Sequence, residues 1–173
     1  GGGSGVCGAA NATDGEIILD TSNLNKIELL HQPKGQKNGL VMAEAGVYGH
    51  QLDDFLKNHG LTCGHYPASL SISTVGGWIS TRASGQYSLY FGNIEHIVEA
   101  VSGITGRGEI VHLRNGDLEK VSRLEGTTLI ITRVWLKTVR LFAHSHFQSF
   151  RFNRSDDLVS FLKDLSDWRR RFD

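Results

Sequence analysis

The sequence is poor in the residues that staple, stiffen or charge a fold. Its 173 residues include two cysteines, two prolines and one methionine. Cys7 and Cys63 lie far apart and outside any CxxC spacing, which excludes a disulfide framework and a structural zinc site of the usual ligand spacing. Eighteen Lys and Arg balance eighteen Asp and Glu, so no overall field draws the chain to nucleic acid or to an anionic membrane, and an anionic ligand has to be held locally. No apolar run approaches the ~18 residues of a spanning helix, and no charged-then-apolar segment opens the chain as a secretion signal. These absences predict a reducing, cytoplasmic compartment and leave backbone amides, not a basic patch, as the natural anion holders.

What is abundant is glycine, at 21 residues, gathered at Gly1-Gly2-Gly3-Ser4-Gly5, at Gly76-Gly77, around Gly85 and Gly92, and at Gly103 to Gly108. The opening run has the composition of a flexible linker, yet it continues into Val6-Cys7-Gly8-Ala9-Ala10, which no linker needs. Alternation and turn residues predict strands at 17–20, 26–30, 40–45, 100–105, 109–113 and 128–139, with Gln32-Pro33-Lys34-Gly35 as a loop and Gly106-Arg107-Gly108 as a hairpin turn. Within 128–139, Ile130, Thr132, Val134 and Leu136 are assigned to one face and Ile131, Arg133, Trp135 and Lys137 to the other. Leu52, Phe55 and Leu56 at helical spacing, stopped by Gly60, predict a helix over 49–59, and Asn93 predicts a cap for a short helical turn through Ile94 to Val98. A further strand is expected at 144–152, and Ser155 caps a closing helix with Leu158, Phe161, Leu162, Leu165 and Trp168 as its apolar stripe. One strand and one helix cannot bury their faces alone, so residues 1–140 read as one domain and 141–173 as the start of a second.

Two segments carry chemistry. Glycine lets successive N–H groups turn toward phosphate oxygens without interference from a Cβ, so the opening run reads as an anion cradle with Ser4 as an added donor. Its spacing is neither the dinucleotide GxGxxG nor a phosphate loop ending in Lys. The stretch 64–92 is too long for an idle connection and too apolar for disorder. Its hydroxyls, its paired Gly76 and Gly77 and its lone Arg82 suit a ligand with a pyrophosphate and a flat ring that passes close to the backbone. For Arg82 the reading is an anionic partner, either the ligand or a loop carboxylate.

GGGSGVCG, EAGVYGHQLDDFLKNHGL, GHYPASLSISTVGGWISTRASGQYSLYFGNIEHIV and LEGTTLIITRVWLK, in this order over residues 1 to 140, resemble the FAD-linked oxidase family of vanillyl-alcohol oxidase, D-lactate and glycolate dehydrogenases and alkyldihydroxyacetonephosphate synthase. The resemblance implies an α+β fold of the PCMH-type FAD-binding domain, with mixed and antiparallel sheet and flanking helices, followed by an α+β cap that supplies most substrate contacts. It implies FAD as cofactor. Gly1, Gly2, Gly3, Ser4, Gly5 and Val6 match the pyrophosphate loop; Ala68, Ser69, Ser71, Ser73 and Thr74, with Gly76 and Gly77, match flavin and phosphate contacts, as do Thr81, Arg82, Ala83 and Ser84. Glu125, Gly126, Thr127 and Ile131 match the segment that closes over the adenine-ribose side.

Three departures qualify the match. The family's first small α/β unit precedes the glycine loop, and this sequence begins at the loop, so a fragment is expected. Leu129 stands where members carry glycine. The family's catalytic His or Tyr side chains and any metal ligands lie mostly in parts not present, so no catalytic residue and no metal site is assigned. With no histidine in the glycine loop and no cysteine between Ser71 and Gly77, the FAD is expected to be held without a covalent tether.

Among the remaining residues, His144 and His146 face one side of their expected strand but lack further ligands, and the Arg169-Arg170-Arg171 run reads as a solvated helix end. His65 reads as a hydrogen-bonded structural histidine or a group reaching the ligand. The resemblance implies a flavoenzyme that takes a hydride from a 2-hydroxy acid at flavin N5. The alternatives are an ether-lipid synthase of the alkyldihydroxyacetonephosphate type, without net redox change, and a non-catalytic FAD-binding subunit. The expected partners are a small-molecule substrate and either a second copy or a partner subunit.

Overall fold

A computed structural model describes residues 1–31, 38–144 and 146–169. The chain divides into two compact units, Gly1–Leu141 and Phe142–Asp173. The first is built on a sheet of six strands, β1 (Ile27–His31), β2 (Asn38–Glu44), β3 (Leu61–Thr62), β4 (Val98–Thr105), β5 (Ile110–Arg114) and β6 (Leu129–Arg140). The order is β1-β2-β6-β4-β5, with β3 pairing the end of β6, and each pairing is antiparallel. The expected α+β class holds, while no parallel pair forms among the described strands. The loop expected at 32–35 lies outside the described residues.

β6 occupies the middle of the sheet because it is long and apolar enough to pair on both edges. Its faces differ from simple alternation. Leu129 and Ile131 are buried and Ile130 is 42% exposed, whereas further along Val134, Leu136 and Thr138 are the buried set. The switch falls where Ser102 pairs Arg133 but Gly103 pairs Ile131, leaving Thr132 as an extra residue. That bulge turns the pleat by one position, and Thr132 is kept by two bonds: its carbonyl accepts from the Ala45 amide at 2.9 Å and its hydroxyl donates to the Ser102 carbonyl at 3.2 Å. Ile130 therefore does not share a face with Val134 and Leu136 as period-2 reading assigned it.

Helix α1 (Gly49–Asn58) follows the expected period, with Leu52 and Leu56 fully buried. Helix α2 (Val75–Thr81) inserts Val75, Trp78 and Ile79 into the same core, and two short turns follow, α3 (Ser88–Phe91) and α4 (Ile94–Ile97). Asn93 stands at the cap position of α4, with its side-chain carbonyl accepting from the Ser84 hydroxyl at 2.8 Å. A 3₁₀ turn covers Asn115–Lys120.

Two expected strands do not form. Residues 17–20 are irregular, with Ile17 95% exposed; no neighbouring strand offers them an edge, and three apolar residues in a row have no alternation with which to choose a face. Residues 146–152 are irregular as well. In this second unit Phe161 of helix α5 (Ser155–Arg169) packs on Phe150 and Phe152, with ring centroids 4.8 and 5.2 Å apart, so these aromatics serve a local cluster and not a sheet face. Leu158, Leu162 and Leu165 of the α5 stripe are exposed.

Candidate functional site

The two segments singled out in the sequence meet at the start of α2. Thr74 caps this helix and its side chain accepts from the Gly77 amide at 3.4 Å. The glycine loop lies directly against the preceding residues: a Cβ on Gly2 would overlap the Ile72 carbonyl oxygen, and one on Gly1 would stand 3.4 Å from the Thr74 hydroxyl. Gly2 is thus required by the approach of two backbones, independent of any ligand. Among the described residues, no protein acceptor engages the amides of Gly2 to Val6, so a run of donors is left facing outward, which is the requirement for a phosphate cradle.

Helix N-termini are ordinarily anion sites because their first amides are free. Here those amides are used by the protein. The Val75 amide donates to the Val47 carbonyl and the Gly76 amide to the Ala45 carbonyl, both at 2.9 Å. The space of a Gly76 side chain is filled by the Ala45 methyl, 2.7 Å from an added Cβ. Gly76 therefore serves the packing of α2 on the sheet, whereas Gly77 is half exposed and faces outward with Thr81, one turn on.

Burial separates the other candidate residues. Ala68, Ser71, Thr81, Arg82, Ser84, Glu125, Gly126 and Thr127 are exposed, Ser69 and Ala83 are half buried, and Ser73 and Thr74 are buried. Ser73 is fixed from below, its hydroxyl accepting from the Trp78 indole at 2.8 Å. Glu125 is brought to the end of α2 by its amide, which donates to the Ser80 carbonyl at 3.0 Å. Ile131 stands apart, buried in β6 opposite Gly103. Leu129, which replaces the expected glycine, is accommodated by that same Gly103: an added Cβ there would lie 2.6 Å from Leu129 Cγ.

Arg82 is held by a carboxylate. Its Nε and Nη2 donate to the same Oε1 of Glu95 at 2.7 and 2.6 Å. Burial pushes the Glu95 carboxyl up, but the Arg82 bond, its own amide and the nearby charges of Arg82 and His96 together hold it below the usual range. Glu95 Oε2 is buried without a partner, and so is the Ser122 hydroxyl. Both residues line a cleft of about 380 Å³ at the C-terminal end of α2, walled by Ile79, Ile94, Val98 and Leu118.

His65 is 2% exposed, and neither ring nitrogen has a partner. Its ring meets Trp78 edge-on, with centroids 4.7 Å apart. Burial pushes its pKa down to about 4 against the opposing pull of Glu95, so the ring is neutral at ordinary pH. The sequence suggested a hydrogen bond for this residue, and the structure gives it none. Nothing in the order of residues signalled Glu95, Ser122 or Trp78; their roles arise from elements that meet only in the fold. The two cysteines are free; Cys63 is buried, and burial raises its thiol to about 11. No group of three or more His, Cys, Asp or Glu among the described residues has metal-binding geometry. No helix of the described residues is long and apolar enough to cross a membrane.

An outward-facing glycine loop on a hydroxyl-rich turn, set over an antiparallel sheet, defines the class of domain that holds a phosphate-bearing cofactor. Residues 1–114 match the family model described as FAD binding domain. The chain is 31% identical to an alkyldihydroxyacetonephosphate synthase of Caenorhabditis elegans over 96% of its length and 29% of the relative's. It is 30% identical to a D-lactate dehydrogenase of Archaeoglobus fulgidus over 82% of its length and 32% of the relative's. A solved alkyldihydroxyacetonephosphate synthase superposes on 81% of the chain and 26% of its own length, with a TM-score of 0.69 at 30% identity. The chain belongs to the FAD-linked oxidase family and carries its PCMH-type FAD-binding domain. It spans roughly three tenths of the length of these relatives.

Proposed function

We propose that this chain holds FAD without a covalent bond and that the protein it forms part of is a flavin-dependent enzyme acting on a small molecule. The observation that carries this reading is the seating of the glycine loop on Ile72 to Thr74 with the amides of Gly2 to Val6 free. Those amides and the Ser4 hydroxyl take the pyrophosphate. Ser69, Ser71 and Thr74 offer hydroxyls to the ring system along Ala68 to Thr74, and Gly77, Thr81 and Ser84 line its path along the exposed side of α2. Glu125 to Thr127 close the far end. When bound, FAD supplies two-electron chemistry at its ring. The chain's part is to fix the ring's position and to replace water around the phosphates with preorganised dipoles. Residues 142–173 open the cap domain in this reading, and the exposed stripe of α5 is the face such a domain would cover.

Two substrate classes follow from the relatives. Likeness across nearly the whole chain supports an ether-lipid synthase of the alkyldihydroxyacetonephosphate type. Oxidation of a 2-hydroxy acid is the second reading, supported by the likeness to a D-lactate dehydrogenase. The test is the absorbance spectrum of the full-length protein, followed by anaerobic addition of D-lactate or glycolate. Flavin bands that bleach establish hydroxy-acid oxidation. Bands that persist, with exchange of a fatty alcohol into acylated dihydroxyacetone phosphate, establish the synthase. Flavin bands with neither activity identify a non-catalytic binding subunit, and a protein that cannot be loaded with FAD overturns the proposal.

A further inference from the structure

The cleft at the C-terminal end of α2 has the chemistry of a site and no task in the fold. α2 has seven residues and is therefore about 10 Å long. The glycine loop touches its N-terminal end and the cleft opens at the other, a separation that one ribose phosphate bridges. The cleft's volume of about 380 Å³ falls in the range of roughly 300–1,000 Å³ usual for small-molecule sites.

Two buried polar atoms in the lining have no protein partner, Glu95 Oε2 and Ser122 Oγ. An orphaned buried polar atom costs about 1–3 kcal/mol, so an occupant that satisfies both is favoured. The two atoms are complementary: an ionised carboxylate only accepts, and a hydroxyl can donate. Arg82 spends both its bonds on Oε1, which fixes the carboxylate while leaving Oε2 free. The remaining walls, Ile79, Ile94, Val98 and Leu118, are apolar. The matching occupant is flat, apolar on its faces, and carries a donor beside an acceptor on one edge. Adenine has that pattern, an exocyclic amino group next to a ring nitrogen.

We propose that this cleft receives the adenine base of FAD, with Glu95 Oε2 accepting from the exocyclic amino group and the Ser122 hydroxyl donating to the adjacent ring nitrogen. The proposal rests on the FAD reading above. It moves recognition of the base from Ile131, whose side chain is in the sheet core, to α4 and the turn at 118–123. Specificity for the dinucleotide over the mononucleotide then resides in two side chains.

The test is titration of the full-length apoprotein with FAD, with FMN and with ADP as competitor, followed by flavin fluorescence. The unsubstituted protein is expected to bind FAD about 100-fold more tightly than FMN, and ADP to displace FAD. Ser122→Ala should reduce FAD affinity about tenfold, the worth of about 1.4 kcal/mol, and leave FMN affinity unchanged. Ser122→Phe, which fills the cleft, should bring FAD and FMN affinities within a few-fold and abolish competition by ADP. FAD binding that neither substitution changes, or that ADP does not compete with, overturns this proposal and leaves the FAD reading standing. Failure of the unsubstituted protein to bind any flavin overturns both. Should Ser122→Phe fail to fold, Ser122→Ala and the ADP competition decide alone.

Discussion

The two halves of the flavin cradle are built by opposite means. Residues 64–92 are anchored: Val75, Trp78 and Ile79 lie in the core, and the amides of Gly49, Val75 and Gly76 tie this stretch to its neighbours. Residues 1–24 are almost wholly exposed, and their bonds are largely local, such as Asn11 N to Gly8 O at 2.9 Å and Thr13 N to Glu16 Oε2 at 2.6 Å. They meet the anchored body through backbone approaches, at Gly2 against Ile72 and at Gly46 against Thr21. The difference is a division of labour. A half whose amides are consumed by the protein supplies position, and a half whose amides are free supplies the ligand's hydrogen bonds. Stability and flavin affinity should therefore separate by segment.

The largest stability effect is expected in the anchored half. Trp78→Ala removes a buried indole and the bond that fixes Ser73, and should cost about 3–5 kcal/mol, read as a lower urea midpoint; a loss under 1 kcal/mol would break the comparison. Next comes acid. His65 takes its proton near 6.5 when unfolded and near 4 when folded, so between these values the unfolded chain binds more protons. Stability is fully present above pH 6.5 and falls as the pH drops toward 4, by on the order of 3 kcal/mol. His65→Leu should flatten that part of the stability profile, and an unchanged profile would remove His65 as its source.

Gly76→Ala drives a methyl into Ala45 and should cost about 1–3 kcal/mol, whether or not flavin is present. Thr74→Ala removes the α2 cap and should cost about 1 kcal/mol, checked by the same unfolding experiment. Smallest in stability is Gly2→Ala, expected within about 0.5 kcal/mol because the exposed loop can lift away. Its flavin affinity should nonetheless fall at least tenfold, the mirror image of Gly76→Ala. Equal effects of the two alanines on stability would erase the distinction between the halves.

Much of the framework was legible because its signals are local. Leu52, Phe55 and Leu56 stopped by Gly60 mark α1, and Gly106-Arg107-Gly108 marks the β4–β5 hairpin, because helical period and turn chemistry act over a few residues. The strand expected at 17–20 failed for want of a partner edge, which no local pattern reveals. The faces of β6 were misassigned because the bulge at Thr132 is made by Ala45 and Ser102, residues about 87 and 30 positions away. At the site, glycines and hydroxyls pointed to the right segments, but the same letter had two causes: Gly2 permits a close backbone approach beside free amides, while Gly76 makes room for Ala45.

The sequence by itself determined the family, the helices and hairpin, and the two segments that form the cradle, because composition, spacing and periodicity are properties of neighbouring residues. Only the tertiary structure decided that Arg82 is held by Glu95, that His65 is buried without a partner, that Leu129 fits over Gly103, and that Glu95 and Ser122 share a cleft. Each of these depends on which distant groups meet and which are left unmatched, and chain order does not contain that until the sheet has closed over its core.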